Sequence, residues 1–578
     1  MKFEKTDTAL IISLKSDILT ENILGSSGWI LPEEREEADW IVLIRFMGWQ
    51  AELISPSMYH EEIIQRKNIK WIILTGPTEE YEIIFMQKMA SITRTSPILL
   101  ICQAPAFADL PDVFTCYNTG VSHEGIKLEW KGSGIKKTWE LSKPFQSLQL
   151  QFSPNHLVVC ELDGLPVIVS TNLGKGKMVT IGFHPSTARD HDGSFTAVLR
   201  HLLVYESLSP VAWYKWDNTV ILRMDDPGSL EVAYNEIYNT TKLTEEEWLI
   251  IGKELSKKNA TMSLGYVSGW VDDGNPERGE LKISGELISR KKGLIYPSSK
   301  VVYQKSNPNF SSLTYDYESE YRGIQRLRHD GLVEVELHGY THLHPDRQKW
   351  ADADDRYNNT SWFREFGATA VTFLKDIPLQ DHPFYSGINS IKKYFGTTPR
   401  VLICPGDEFT NEVLIHVLSS ELLMVSSYYL AIKTGEKLCW AQHICAPYLN
   451  EANSEWFKSG LPIVGYFHDF DISINGIKWF TENLATWQAA GARQFTDFRT
   501  IALALVHTIS VHPSDNCYYL VLDEIENLAE RLEISIGMFF PGETNDYNIN
   551  LKISPNGSEV TINGDTGKNI HITLPFNK

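Results

Sequence analysis

Short apolar runs alternate with amphipathic helical patterns through the first hundred residues of the chain. Strands are predicted at 8–14, 70–75 and 97–102, and a helix is predicted at 78–92 between the last two. Strands that alternate with helices in this way build parallel sheets with helices packed on their faces. The pattern therefore predicts an α/β unit of βαβ type at the start of the chain.

Further along, the pattern changes twice. Residues from about 105 to 205 are richer in strand patterns. Between 215 and 505 strands and helices alternate again, which is the order of elements in a distorted (β/α) barrel. From 506 onward short strands alternate with turn residues, as in a small β-sandwich. The predicted domains are 1–210, 215–505 and 506–578.

Composition and charge narrow the classes of partner. At 578 residues the chain is too long for one ordinary domain, and 43% hydrophobic with 22% charged residues fits a folded globular protein. The formal net charge of −20 makes electrostatic capture of nucleic acid or an anionic membrane unfavourable. No apolar stretch of the sequence is long enough to span a bilayer. A neutral or cationic sugar polymer remains compatible with this charge.

The first residues of the sequence and its cysteines indicate the cellular compartment. The apolar run at 9–14 stops at Lys15 and Asp17, which makes it too short for the core of a secretory signal peptide. Seven cysteines are dispersed without CxxC spacing, which fits a reducing environment. These features predict a cytoplasmic protein.

Two polar motifs follow predicted strands in the 215–505 region. Asp225 and Asp226 end one apolar run, and His338 and His342 follow another. The carboxyl ends of strands are where α/β barrels gather their chemistry. Two imidazoles four positions apart, with the Asp226 carboxylate, form a ligand set for a divalent metal that leaves room for water. Either motif alone is more often a solvated turn or a pair of surface histidines, so it is the combination that predicts a metal site.

The first motif resembles that of the polysaccharide deacetylase family of carbohydrate esterases, which includes chitin and peptidoglycan N-deacetylases. That family has two aspartates before a glycine, and this chain has Asp225, Asp226 and Gly228 with Pro227 inserted. The resemblance implies that Asp225 is the general base and that Asp226 is a metal ligand.

The second family motif is a His, a Ser or Thr, two variable residues and a His, and residues 338–342 are similar to it. It implies that His338 and His342 are the remaining metal ligands. Gly339 stands where the family has its hydroxyl residue, so a hydrogen bond that braces the loop is lost. The sequence leaves open whether Thr341 replaces that bond.

The third family motif, an arginine shortly before a proline on one wall of the groove, is similar in outline to residues 400–407. It implies substrate contacts for Arg400 and Pro405, and Tyr340 is expected to stack on a sugar ring. Arg400 stands too far from Pro405 to match the family spacing. The arginine that steadies the base is therefore either Arg223 or Arg400.

A hydrophobic strand that ends in a histidine, at 463–468, resembles a later family motif. It implies that His468 is the general acid that protonates the leaving amine, since an imidazole pKa lies near the working pH. A histidine at a strand end is by itself more often structural, but its place in the chain after the other motifs favours a functional interpretation. The aspartates that orient this histidine in the family have no clear counterpart, and Asp469 is the nearest candidate.

The resemblance implies a metal-dependent hydrolase that removes N-acetyl groups from an amino-sugar-containing poly- or oligosaccharide. Zinc is the first choice of divalent metal, although mixed nitrogen and oxygen ligands also suit manganese, cobalt, iron or nickel. Two alternatives stay open: another C–N or ester hydrolase on the same barrel, and a non-catalytic carbohydrate-binding or scaffold protein whose divergent motifs mark lost catalysis. The predicted cytoplasmic location conflicts with the cell-surface polymers on which related enzymes often act.

The N-terminal unit carries a second resemblance. Residues 174–182 and the helix after them are similar to the closing segment of class I glutamine-amidotransferase-like domains, which implies a flavodoxin-like or amidotransferase-like α/β fold. Such domains have a cysteine at a strand-to-helix elbow, and Cys102 follows an apolar strand. Residues 103–105 lack the flanking glycines of a nucleophile elbow, so a scaffold or sugar-binding role is predicted for this unit.

Overall fold

The computed structural model describes residues 6–14, 35–60, 62–63, 67–106, 115–238, 240–306, 313–435, 437–514, 517–522, 532–554, 557–563 and 570–573. These ranges form a mixed α/β fold with two large sheets. None of the helices within them is both long enough and apolar enough to cross a bilayer.

The first large sheet begins as a parallel α/β unit and continues with antiparallel strands. Its buried strand Asp7–Ile12 pairs in parallel with a neighbour on each side, as the βαβ pattern predicts. The parallel part ends at Gly176–Ile181. In spatial order the strands are Gln50–Ile54, Asp7–Ile12, Asn68–Leu74, Leu99–Gln103, Gly176–Ile181, Leu165–Leu173, Leu157–Leu162, Cys116–Trp130 and Lys137–Phe152. The α-helices of this unit are Arg35–Phe46, Ile83–Thr95, Pro185–His191 and Ser194–Tyr205.

Cys102 lies inside the strand Leu99–Gln103 and not at a strand-to-helix elbow. Its buried sulfur is 3.7 Å from the carbonyl oxygen of Val179. Burial raises the pKa of Cys102 to about 12, so the thiol stays protonated at neutral pH. A protonated, buried thiol is a poor nucleophile, and amidotransferase chemistry at this residue is not supported.

The second large sheet carries the candidate metal motifs. Its strand Thr219–Asp225 is buried along its whole length, as expected for a parallel strand covered on both faces. In spatial order the strands are Lys437–Cys445, Tyr429–Thr434, Met424–Ser426, Val401–Ile403, Val333–Leu337, Met262–Tyr266, Thr219–Asp225 and Ile463–His468, and Gln494–Thr496 also pairs with Thr219–Asp225. The α-helices of this part are Glu231–Tyr234, Glu245–Lys257, Tyr317–His329, Arg347–Asp352, Val371–Leu374, Pro383–Phe395, Asn411–Leu418, Asp469–Asn475, Ile477–Ala490 and Phe498–Val506.

The order of elements predicts a closed (β/α) barrel, but the ladders of the described strands do not close. The hairpin of Tyr429–Thr434 and Lys437–Cys445 continues the sheet in the antiparallel sense, where a barrel needs another parallel strand. Among the described residues, a single isolated bridge between Tyr448 and Tyr466 joins this side of the sheet to the strand Ile463–His468. The parallel strands still end at one common edge, where the candidate site lies.

Besides the two large sheets, the described ranges contain four smaller ones. The four-stranded sheet of the C-terminal part takes its first strand, Val211–Tyr214, from the segment before the second large sheet. Trp213 and Met538 belong to one buried core with residues of the N-terminal unit, so the two ends of the chain share a hydrophobic core. The strands of these sheets are Val211–Tyr214, Leu532–Phe539, Tyr547–Ser554 and Gly557–Asn563; Ile509–Pro513, Tyr518–Leu522 and Ile570–Thr573; Glu286–Ile288, Gly279–Ile283, Val301–Lys305 and Leu313–Asp316; and Gly269–Val271 with Ile295–Pro297.

Candidate metal centre and active site

Three buried side chains converge at the carboxyl ends of two strands. Asp226 follows the strand Thr219–Asp225, and His338 and His342 follow the strand Val333–Leu337. The Nε2 atoms of His338 and His342 are each 3.4 Å from Oδ1 of Asp226. One potential ligand atom from each residue lies within 4.8 Å of the other two. The structure thus brings together the three residues that the sequence predicts as metal ligands.

The geometry of these three groups fits a shared divalent cation. Two atoms bonded at about 2.1 Å to one ion at a tetrahedral angle are about 3.4 Å apart, which matches both distances. Oδ1 of Asp226 is buried and has no hydrogen-bond partner among the described residues, a state that is costly unless an ion binds it. Nδ1 of His338 is 2.9 Å from the carbonyl oxygen of Ile403. Because a carbonyl oxygen only accepts, Nδ1 carries the proton and Nε2 presents its lone pair to the centre.

The backbone at the site is strained. Asp226 and His342 have φ values of +75° and +61°, and Asp407, which lines the same cavity, has +55°. Left-handed backbone at a residue with a side chain costs on the order of 1–3 kcal/mol and persists where the surrounding structure enforces it. Two of the three candidate ligands are therefore held in place by the surrounding fold at some cost in stability.

A buried carboxylate braces the loop that carries both histidines. Glu365 accepts hydrogen bonds from the backbone N–H of Tyr340 at 2.7 Å and from the Thr341 hydroxyl at 2.8 Å. It also accepts from the backbone N–H groups of Thr341 and His342. A Cβ on Gly339 would lie 2.1 Å from Oε2 of Glu365. Glu365 therefore occupies the space of a side chain at position 339 and, with Thr341, supplies the bracing that a hydroxyl residue there would give.

We expect Gly339→Ala to destabilise this loop more than a matched glycine substitution does. Gly331 has the same φ of +71°, but nothing lies within 4 Å of a Cβ there. Gly331→Ala should cost only the backbone strain, about 1–2 kcal/mol. Gly339→Ala should cost a further amount, about 1–3 kcal/mol, because Glu365 must move. Urea unfolding of both variants checks this, and equal losses would contradict the role given to Glu365.

The predicted base, Asp225, is held by a buried arginine. Nε of Arg223 donates to Oδ1 of Asp225 at 2.9 Å, and a second guanidinium nitrogen donates to Asp225 and, at 2.9 Å, to Asp407. Burial acts to raise the pKa of Asp225, but Arg223 and then His338 outweigh it, so the pKa lies below its usual value. Of the two arginines that the sequence leaves open for this position, the structure places Arg223 there. Asp225 is ionised at neutral pH.

His468, the predicted acid, is oriented by Asp471 and not by Asp469. Nδ1 of His468 is 3.4 Å from Oδ2 of Asp471, and the Tyr448 hydroxyl contacts both side chains. Burial acts to lower the pKa of His468, but the hydrogen bond with Asp471 and the nearby Asp226 and Asp225 raise it to about 9. The imidazole is therefore protonated at neutral pH.

Asp469 pairs instead with a buried lysine behind the metal motif. Nζ of Lys242 donates to Asp469 and, at 3.0 Å, to the backbone oxygen of Asp226. Glu320 lies 3.4 Å from the same nitrogen and accepts from the backbone N–H of Gly228 at 2.8 Å. This network fixes the backbone of Asp226 and Gly228, in the loop that follows the strand Thr219–Asp225.

A cavity of about 210 Å³ opens beside these groups. Its lining includes the five residues that the sequence assigns to catalysis and metal binding: Asp225, Asp226, His338, His342 and His468. It also includes Glu231, whose Oε2 is 3.7 Å from Nδ1 of His342. Burial, with the Asp226 charge, raises the pKa of Glu231 to about 8. Glu231 is therefore mostly protonated at neutral pH.

The three residues predicted to contact substrate do not line this cavity. Pro405 packs against Gly339, and the Tyr340 ring lies against Gly269. Arg400 precedes the strand Val401–Ile403, so it lies at the opposite end of the sheet from the site and lines a separate cavity. The cavity is lined instead by other residues: Tyr238, Thr360, Phe363, Arg364, Gly406 and Asp407.

Comparisons with known proteins give weak similarities. No protein-family model and no curated protein sequence matches the chain. An exo-β-1,4-mannosidase from Opitutaceae bacterium strain TAV5 is 8% identical, covers 35% of this chain and 36% of its own length, and has a TM-score of 0.24. A CE4-family pseudoenzyme from Bacillus anthracis is 8% identical over 50% of this chain and 66% of its own, with a TM-score of 0.26. A protein from Mycobacterium smegmatis described as a polysaccharide deacetylase is 12% identical over 52% of this chain and 93% of its own, with a TM-score of 0.28.

The low coverage and TM-scores limit what these similarities show. The chain spans only about a third of the mannosidase that it matches. TM-scores so far below 0.5 assign neither a fold family nor a function to this chain. A conclusion about function therefore depends on the chemistry of the site itself.

Proposed function

We propose that this protein is a metal-dependent hydrolase that removes N-acetyl groups from an amino-sugar-containing poly- or oligosaccharide. One observation supports this most: a two-histidine, one-carboxylate centre lies in the same cavity as an ionised carboxylate and a protonated imidazole. These three components meet the needs of amide hydrolysis, in which a base activates water, an acid protonates the leaving nitrogen and developing negative charge is stabilised.

Asp226, His338 and His342 would hold the cation, with zinc as the first choice. When bound, such a cation supplies Lewis acidity, which activates water and polarises a carbonyl group. The protein's contribution is to hold these ligands: Ile403 fixes the tautomer of His338, and Glu365 fixes the backbone of His342.

Asp225 and His468 divide the proton transfers between them. Asp225, kept ionised by Arg223, accepts a proton from the attacking water. His468, kept protonated by Asp471, donates a proton to the nitrogen that departs from the acetyl carbon. Two groups whose surroundings push their pKa values in opposite directions are a common basis for acid and base roles.

Acetate release tests the proposal. The purified chain, incubated with zinc and a chito-oligosaccharide, should release one acetate for each free amine formed, and a chelator should abolish the reaction until zinc is restored. A zinc-loaded, folded protein that releases no acetate from chito-oligosaccharides or from acetylated peptidoglycan fragments would contradict the proposal and favour a binding protein.

Replacement of Asp471 should change the pH dependence of this reaction in one direction. A general acid works only while protonated, so activity is lost as the pH rises through the pKa of His468. Asp471→Asn removes the main contact that raises this pKa, so the alkaline limb of kcat/KM should move to lower pH. Glu482→Gln, which removes an exposed carboxylate on the helix Ile477–Ala490, should leave the limb in place. An unmoved limb in Asp471→Asn would argue against His468 as the acid.

A further inference from the structure

A second, larger cavity lies away from the metal centre, where three parts of the chain meet. This cleft has a volume of about 940 Å³. Its walls come from the strand Lys137–Phe152 and the helix Ser194–Tyr205 of the N-terminal unit, from the C-terminal four-stranded sheet and from residues 457–460 and 493–494. The roles described for the metal centre use no residue of this cleft.

The cleft is cationic in a strongly acidic chain. The whole sequence has 53 Lys and Arg against 73 Asp and Glu, but the lining of the cleft has six cations against two carboxylates, Asp217 and Asp546. The six cations are Lys136, Lys137, Arg200, Lys215, Lys458 and Arg493. A concave surface lined by one sign of charge concentrates counter-ions of the opposite sign.

The two carboxylates do not neutralise the cleft. Asp217 is 3.4 Å from Arg200, and Asp546 is 3.6 Å from Lys215. Lys458 is paired with two carboxylates outside the lining, Asp192 at 3.3 Å and Glu455 at 2.6 Å. Lys136, Lys137 and Arg493 form no ion pair with any residue in the described ranges. Lys137 and Arg493 are solvent-exposed, so their charges are available to a ligand.

Polar and aromatic groups accompany the cations. The side-chain oxygen of Asn548 accepts from Lys215 at 2.6 Å, and that of Asn550 accepts from Ser535 at 3.0 Å. Both asparagines are exposed, so their amide N–H groups are left to donate to a ligand. The ring of Tyr205, also in the lining, lies 4.1 Å from that of His201.

His201 adds a buried polar group with unmet hydrogen-bonding capacity. It is 9% exposed, and its Nε2 has no hydrogen-bond partner among the described residues. Burial, with Lys137 and Arg200, lowers the pKa of His201 to about 2, so it contributes a neutral imidazole. Hydrogen-bond donors beside an aromatic wall are the groups that bind a hydroxylated sugar ring.

We propose that this cleft is a binding site for an anionic saccharide, whose carboxylate groups pair with Lys137 and Arg493 and whose hydroxyl groups accept from Asn548 and Asn550. An uncharged sugar would make no use of the cations, whereas a simple inorganic anion would make no use of the amides and the tyrosine ring. The site is separate from the metal centre, so it does not depend on the hydrolase activity.

Isothermal titration calorimetry of the 578-residue chain tests this site with three probes: a β-1,4-linked glucuronic acid trimer, cellotriose and inorganic phosphate. We expect the uronate trimer to bind with an affinity that falls as salt is added. Cellotriose and phosphate should each bind at least about tenfold more weakly, because each lacks one half of the recognised chemistry. The same affinity for the uronate trimer is expected in His338→Ala, which separates this test from that of the metal centre.

Substitutions locate the binding. Lys137→Glu combined with Arg493→Glu should weaken binding of the uronate trimer by at least about tenfold, because like charges then face the ligand. The charge-matched control combines two Lys→Glu substitutions outside the cleft, Lys143→Glu on the strand Lys137–Phe152 and Lys88→Glu. This control should leave the affinity for the uronate trimer unchanged. If the double Glu variant folds poorly, the neutral double variant Lys137→Gln with Arg493→Gln tests the same loss of affinity for the uronate trimer. Absence of binding, equal binding of cellotriose or phosphate, or binding unaffected by the cleft variants would each overturn the proposal.

Discussion

Asp225→Asn should lower the rate of acetate release by about 10²–10⁴-fold, the usual contribution of a general base. Asparagine has nearly the same shape as aspartate and retains an oxygen that can accept from Arg223, so the fold should persist. Its amide cannot accept a proton from water. The rate is measured with saturating zinc and a chito-oligosaccharide, so that a change in metal affinity does not enter.

Two controls accompany this variant. Asp330→Asn removes an exposed carboxylate at the end of the helix Tyr317–His329 and should leave the rate unchanged. The metal content of Asp225→Asn should equal that of the unmodified chain, because Asp225 is not among the three convergent ligands. A rate within a few-fold of the unmodified chain would remove Asp225 from the role of base.

Arg223→Met should cost about 3–5 kcal/mol of unfolding free energy, the usual penalty for leaving buried charges without a partner. Arg223 is 1% exposed and bonds two carboxylates, Asp225 and Asp407. Methionine fills much of the same volume, so the loss reports mainly the uncompensated carboxylates. Urea unfolding of the 578-residue chain measures this loss.

The matched control is the ion pair of Arg364 with Glu408 at the same cavity, whose side chains are each about a third exposed. Arg364→Met should cost less than about 1 kcal/mol, because solvent screens a pair that it reaches. The penalty of Arg223→Met should also shrink at low pH. Arg223 lowers the pKa of Asp225, so the stability it supplies is present above the usual aspartate pKa and is lost as the pH falls through the lowered value. Equal losses in the two variants would contradict a buried, charge-compensating role for Arg223.

Local sequence patterns predict the strand ends well at this site. The strand Ile463–His468 has the bounds that its apolar run indicates. The apolar run at 219–224 predicts a strand there, and the strand Thr219–Asp225 is one residue longer. Because the carboxyl ends of parallel strands meet at one edge, motifs far apart in the chain could be expected to converge there. The sequence does not show that the barrel fails to close, since nothing in it marks Tyr429–Thr434 as antiparallel to its neighbour.

The supporting residues were harder to predict because their contacts are set by tertiary structure. Glu365 lies 23 residues beyond His342 in an irregular segment and has no motif of its own. Asp471 had a readable signal: His468 is the N-cap of the helix Asp469–Asn475, and Asp471 is at the third helical position, where a carboxylate turns back to the cap. That helical register also points Asp469 away from His468, towards Lys242.

The metal content of purified protein tests the central claim most directly. After incubation with zinc and removal of excess metal, elemental analysis should find one divalent ion per unmodified chain and none in His338→Ala. His344→Ala, which removes a buried histidine just beyond the ligand loop, should retain the ion. An unmodified chain that holds no metal, or equal metal in His338→Ala and the unmodified chain, would contradict a centre built from Asp226, His338 and His342.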